Sequence, residues 1–219
     1  MTRQILRFSG SCPSWRVMFV AELKGFDYEA VTLDNSKKQH KTAEHLALNP
    51  RGRVPVLRDG DFVLYESMAI VAYLDKKYPD PPVLGTTPEE TAAIWRMWSE
   101  CVNYTEPVVD RLCIPIYRGV AAEKADEVRA ASRDLMAELA PYEQILGRTP
   151  WLAGDRPTAA DAAFVPMLGH MYRAASKPVS RDLDLEIANA DERLPNFAAW
   201  WKRCQAVPNW DRTYPPHWK

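Results

Sequence analysis

The sequence predicts two units of different class, a small mixed α/β unit followed by an all-helical one. Three observations carry this. Strand-like, helix-like and again strand-like patterns fill residues 4–33 at the spacing of a βαβ unit, so two parallel strands with a right-handed crossover are expected. A proline-bearing strand, a tight hairpin and a further helix occupy residues 53–78. Beyond Pro79-Asp80-Pro81-Pro82 the apolar residues recur at helical spacing alone. The expected domains are 1–80 and 88–219, joined by that proline-rich linker.

Each element follows from local chemistry. Gln4 to Phe8 reads as a strand, and Ser9-Gly10-Ser11-Cys12-Pro13-Ser14 as a loop of cap-forming residues with Pro13 in the first helical turn. Trp15, Val17, Met18, Val20, Ala21 and Leu23 make a helix that Gly25 stops. Tyr28 to Leu33 alternates as the second strand, and His40 to Leu48 is a short polar helix ended by Asn49-Pro50. Pro55 must open its strand or sit at an edge, because proline donates nothing to a sheet ladder. Asp59-Gly60-Asp61 is the hairpin turn, and a helix runs from about Ser67 to Tyr78.

In the second unit one long helix is expected through Ile94, Trp98, Val109 and Ile116, kinked at Pro107. A second runs from about Ala122 to Leu146. Thr158 and Asp161 form a capping box before an apolar helix through Phe164 and Met167, and Phe197 to Val207 is the last clear helix. The tail from Pro208, rich in proline and aromatics, is expected to pack without helix.

Composition narrows the function. Hydrophobic residues at 47%, charged residues at 26% and a net charge of −1 describe a globular protein with no electrostatic case for nucleic acid or an anionic membrane. No apolar run reaches spanning length, and the opening residues have no signal-peptide core. Four scattered cysteines (Cys12, Cys101, Cys113, Cys204) without zinc spacing suit a reducing cytoplasm, and no metal site is expected.

The stretch with chemistry in it is Arg53 to Ser67. A cis Val54–Pro55 bond would turn the Val54 backbone outward, free to pair with an extended peptide. Ser67 opens a helix whose free N–H groups suit a carboxylate, and Glu66 beside it suits an ammonium. Together these make a pocket for a small zwitterionic peptide. The same residues also suit a plain hairpin with Glu66-Ser67 as an ordinary cap.

Taken in order, the motifs resemble the cytosolic glutathione transferases over nearly the whole chain: Val54-Pro55, Glu66-Ser67, Gly154, the Thr158–Asp161 box and the closing Leu194-Pro195-Asn196-Phe197. Ser11-Cys12-Pro13-Ser14-Trp15-Arg16-Val17 resembles the serine-type first-helix motif of the zeta and tau classes, although zeta has cysteine where Pro13 stands and arginine where Met18 stands. Cys12-Pro13 is similar to the Cys-Pro of omega-like enzymes, one residue nearer the arginine.

The resemblance implies a thioredoxin-like N-terminal domain, an all-α C-terminal domain, a homodimer, and glutathione as cosubstrate without a metal. Ser11 falls on the position that donates a hydroxyl to the glutathione thiolate, and Cys12 is the rival sulfur ligand. A hydrogen bond to a charged partner, about 1.5–3 kcal/mol, lowers a thiol pKa by roughly one to two units. Val54 and Pro55 would hold the cysteinyl unit, Glu66 and Ser67 the γ-glutamyl end, and His40 and Arg53, with Lys41 as rival to His40, the glycyl carboxylate. The electrophile is expected between the domains, near Tyr104, Arg111, Tyr117, Met171, Tyr172 and Trp210, while Trp15 and Arg16 pack the first helix onto the second domain.

The reaction so implied is thiolate attack on a small hydrophobic electrophile. The alternatives are a Cys12-dependent thiol transferase or glutathione-dependent reductase, a maleylacetoacetate-type isomerase, and a non-enzymatic binding or regulatory protein of the same fold.

Overall fold

A computed structural model describes residues 3–218. The chain forms two compact units, one of residues 3–86 together with 207–218, the other of residues 87–206.

The first unit holds a four-stranded mixed sheet in the order β2-β1-β3-β4. Its strands are β1 (Arg3–Arg7), β2 (Glu29–Thr32), β3 (Val56–Asp59) and β4 (Phe62–Tyr65). β1 and β2 are parallel, with Gln4 opposite Glu29, and helix α1 (Cys12–Leu23) is the crossover between them. Gly25 ends the helix with φ +58, in the left-handed region that suits glycine. β3 pairs antiparallel with both β1 and β4, and Gly60 at φ +63 makes the turn between β3 and β4. Ile5 and Leu57 are fully buried in the sheet, as are Val17, Val20 and Ala21 of α1. Ile70, Val71 and Leu74 of α3 (Ser67–Lys77), which packs beside α1, are equally buried. The expected helix over 40–48 is shorter than the sequence suggests: a single 3₁₀ turn covers Gln39–Lys41, and α2 (Ala43–Leu48) starts after Thr42, whose side chain caps it.

Residues 208–218 carry a short helical turn, α11 (Trp210–Thr213), and a 3₁₀ turn at Pro216–Trp218. They belong with the first unit, not with the helical domain that the sequence assigned them to. The reason is Trp15. Its buried ring meets Trp210 at 5.8 Å, Tyr214 at 5.6 Å and Trp218 at 5.6 Å, and its Nε1 donates to Thr213 Oγ1 at 3.1 Å. Glu22 of α1 adds a polar clasp, accepting from Asn209 Nδ2 at 3.1 Å with Arg212 Nε 3.6 Å away. Trp15 and Trp210, expected at the second domain and at the electrophile, thus pack against each other within the first unit.

The second unit is helical: α4 (Pro88–Glu100), α5 (Glu106–Tyr117), α6 (Ala125–Leu146), α7 (Ala159–Ala175), α8 (Pro178–Asp182), α9 (Ala190–Arg193) and α10 (Pro195–Gln205). The long helix expected around Pro107 is two helices joined through one π-helical turn, Cys101–Thr105. Pro107 has no N–H and its ring crowds the carbonyl of Asn103, so the wide turn just upstream accommodates it. α7 is buried almost all round and forms the core of this unit against α4, α5 and α10. Its start is the predicted capping box. Asp161, fully buried, accepts from Thr158 N at 2.8 Å, Leu152 N at 3.0 Å and Trp200 Nε1 at 2.8 Å.

Candidate active site

Strand register gathers the predicted glutathione residues at one edge of the sheet. Leu6 faces Val56 across β1 and β3, and Val56 faces Tyr65 across β3 and β4. The residues that follow β1, precede β3 and follow β4 therefore meet there: Ser9 to Ser11, Val54-Pro55 and Glu66-Ser67.

A tight turn presents Ser11. Ser11 N donates to Phe8 C=O at 3.2 Å, closing a turn over Ser9 and Gly10, and Gly10 takes φ +81 as the third residue of a type II turn requires. Ser11 then caps α1 in extended conformation. Its Oγ accepts from the buried Ser14, from Oγ at 3.1 Å and from N at 3.5 Å. Since Ser14 is the donor in both, the proton of Ser11 is left for another acceptor. Cys12 is the first residue of the helix and half-buried, while Cys101, Cys113 and Cys204 are buried. Burial pushes the Cys113 thiol up to about 12 and the Cys204 thiol well above its ordinary value, so neither is a nucleophile at neutral pH.

The Val54–Pro55 bond is cis, as expected. Neither the N–H nor the C=O of half-buried Val54 has a hydrogen-bond partner among the described residues. Two side chains missed by the sequence reading fix this edge. Arg53 C=O accepts from His45 Nε2 and from Asn49 Nδ2, both at 2.9 Å, and both residues are buried on or just after α2. The hint lay in Asn49-Pro50, read above merely as a helix end. The Arg53 side chain itself is exposed.

Of the two rivals for the glycyl carboxylate, Lys41 is already engaged: its Nζ donates to Gly52 C=O at 3.0 Å and Arg51 C=O at 3.3 Å. His40 stands edge-on to Phe8 at 5.0 Å, and its Nδ1 is buried without a partner among the described residues. Burial of the ring, then the positive charges of Lys41, His45 and Lys38, hold His40 below the ordinary imidazole value, so it is neutral at pH 7.

Glu66 is exposed and takes φ +73, a conformation that costs a non-glycine residue about 1–3 kcal/mol and persists where the surroundings enforce it. Its carbonyl accepts the first bond of α3, from Ile70 N at 3.0 Å, and its side chain caps nothing. The first turn of α3 carries no acidic residue, and the Glu66 carboxylate at its N-cap makes no capping hydrogen bond to the N–H groups behind Ser67.

Three of the residues expected at the electrophile have partners within the helical unit. Arg111 pairs with Asp134 of α6, whereas the Tyr117 hydroxyl donates to His170 C=O of α7 at 2.7 Å under the Arg173 guanidinium. Tyr172 leans on Trp201 at 5.5 Å, Met171 is buried, and Tyr104 is 62% exposed on the π-helical turn. Arg111 and Asp134 form an exposed ion pair between α5 and α6.

The whole chain also has recognisable relatives. Residues 2–76 match the glutathione S-transferase N-terminal domain and residues 105–208 its C-terminal domain. Glutathione S-transferase 3 of Zea mays is 33% identical over 205 residues, covering 90% of this chain and 86% of that protein. A probable glutathione S-transferase, GSTF2, of Oryza sativa subsp. japonica is 33% identical over 213 residues and 93% of each chain. The solved glutathione S-transferase of the Antarctic clam Laternula elliptica is similar at TM-score 0.80 and 29% identity, covering 100% of this chain and 94% of that one. Register, the cis Val54–Pro55 edge, the Glu66-Ser67 helix start and these similarities together place the chain in the glutathione S-transferase family, as a glutathione transferase.

Proposed function

We propose that this transferase activates glutathione as a thiolate through the Ser11 hydroxyl and delivers it to a small hydrophobic electrophile. The carrying observation is that Ser11, half-exposed at the N-terminus of α1, accepts from Ser14 and so has its own proton to give. A thiolate seated there also gains from the partial positive charge of the helix end. The free Val54 N–H and C=O take the cysteinyl backbone, the start of α3 takes the γ-glutamyl carboxylate, Glu66 takes the ammonium and His40 meets the glycyl carboxylate. Glutathione alone supplies the sulfur, and no metal enters the reaction.

A second reading rests on Cys12, the half-buried thiol at the first position of α1. There its thiolate would attack the glutathione sulfur of a glutathione mixed disulfide, expelling the other sulfur as the leaving thiolate, and a second glutathione would then displace oxidised glutathione and restore the Cys12 thiol. Substitution separates the two. Under the Ser11 reading, Ser11→Ala lowers conjugation of an aryl halide roughly 10- to 100-fold, equivalent to about 1.4–2.7 kcal/mol, and Cys12→Ala keeps most of it. If instead Cys12→Ala abolishes the activity while Ser11→Ala spares it, the Ser11 assignment is wrong.

The protein is further proposed to act in the cytoplasm as a homodimer, on the strength of the family. No described helix is long and apolar enough to cross a membrane. A sedimentation mass near the 25.0 kDa of one chain at micromolar concentration would contradict the dimer.

A further inference from the structure

The C-terminal segment returns to the turn that presents Ser11. His217 Nδ1 lies 3.0 Å from Ser9 Oγ, and the Trp218 indole Nε1 donates to His217 Nε2 at 2.9 Å. Because Nε2 is the acceptor, the proton of the neutral ring sits on Nδ1 and is donated to Ser9. Trp218 covers the next residue: a Cβ added to Gly10 would lie 3.2 Å from its Cζ2. Trp218 also meets Trp15 ring to ring at 5.6 Å, and Trp15 N donates to Ser11 C=O at 2.9 Å. The segment thus touches the chain on both sides of Ser11, at the two central residues of the turn before it and one helical turn after it.

From this we infer that His217 and Trp218 are positioning residues for thiol activation: they hold the Ser9-Gly10 turn so that the Ser11 hydroxyl points at the glutathione sulfur. The inference rests on the Ser11 reading above. A tight turn with a glycine at its third position is conformationally permissive, and Ser14 fixes the Ser11 oxygen from one side alone. The hydrogen bond from His217 to Ser9 and the indole wall over Gly10 supply the missing constraint. Glutathione affinity, set by Val54, Glu66, Ser67 and His40, does not depend on the segment, so its loss shows in turnover and in the ionisation of the bound thiol.

The test measures three quantities in the full-length protein: glutathione affinity by calorimetry, the pKa of the bound thiol from thiolate absorbance, and turnover of an aryl halide at pH 6.5. His217→Ala and Trp218→Ala are expected to leave affinity within about threefold and to raise the bound-thiol pKa. Turnover should fall roughly 3- to 10-fold, within the ~100-fold that a misplacement of about 1 Å can cost. His217→Asn, which keeps a donor near the Nδ1 position, should restore most of it. In a Ser11→Ala background His217→Ala should have no further effect. Unchanged thiol pKa and turnover in both single variants would overturn the inference. So would lower turnover at unchanged thiol pKa, which would make the segment a wall for the electrophile, or an equal loss in the Ser11→Ala background. Ser11→Ala alone leaving the thiol pKa unchanged would remove the Ser11 reading itself, and is read on a separate protein.

Discussion

Replacing Asp161 with alanine tests the largest buried polar commitment of the helical unit. The carboxylate is fully buried and accepts four hydrogen bonds. Oδ1 takes Leu152 N and Trp200 Nε1, and Oδ2 takes Thr158 N and Thr158 Oγ1. Alanine leaves three fixed donors orphaned (the Thr158 hydroxyl can rotate), each at about 1–3 kcal/mol. Offsetting this, removal of the carboxylate also removes its own desolvation, the burial that pushes its pKa up. A net loss of about 3–5 kcal/mol follows, at the upper end for single substitutions. Asparagine keeps one oxygen and turns an NH₂ toward the other pair, so Asp161→Asn should cost about half as much. Trp200→Phe removes one donor with its bond and should cost about 1–2 kcal/mol. Urea unfolding followed by circular dichroism measures all three. A loss below about 1 kcal/mol for Asp161→Ala at unchanged slope would refute the argument that these donors have no other partner.

Two further outcomes follow from the first unit. His40 is held below its ordinary 6.5 and is neutral at pH 7; a carboxylate beside it favours the protonated ring, so binding takes up a proton and affinity rises as pH falls through the free value. Calorimetry with S-methylglutathione, whose sulfur does not titrate, in buffers of different ionisation enthalpy should show uptake that His40→Gln removes; no uptake near pH 6 would exclude His40 from the carboxylate. Among the cysteines Cys12 alone is half-exposed, so iodoacetamide should modify one thiol per chain in the folded protein and none in Cys12→Ala, and a second fast-reacting thiol would contradict the burial of the other three.

What the sequence by itself determined are the elements whose causes are local. Gly25 ends α1 because its backbone needs a positive φ, Gly60 turns the hairpin for the same reason, and Thr158 with Asp161 opens α7 because both partners of the box lie within one helical turn. Order and spacing then sufficed to bring Ser11, Val54-Pro55 and Glu66-Ser67 to one edge, since strand register is fixed by which face is buried. Tertiary structure alone decided the rest. An aromatic tail without periodicity carries no statement of its partner, and only packing shows that Trp210, Tyr214 and Trp218 close on Trp15. The hold of His45 and Asn49 on Arg53 C=O is a side-chain-to-backbone bond at which the Asn49-Pro50 pair only hints, because the pair does not name the carbonyl it meets. Tyr104, Arg111, Tyr117 and Tyr172 are placed near the electrophile by resemblance alone, since helical spacing fixes only which residues share a face of their own helix. It leaves open what that face meets, and the neighbours, Asp134 for Arg111 and His170 for Tyr117, are set by how separate helices pack.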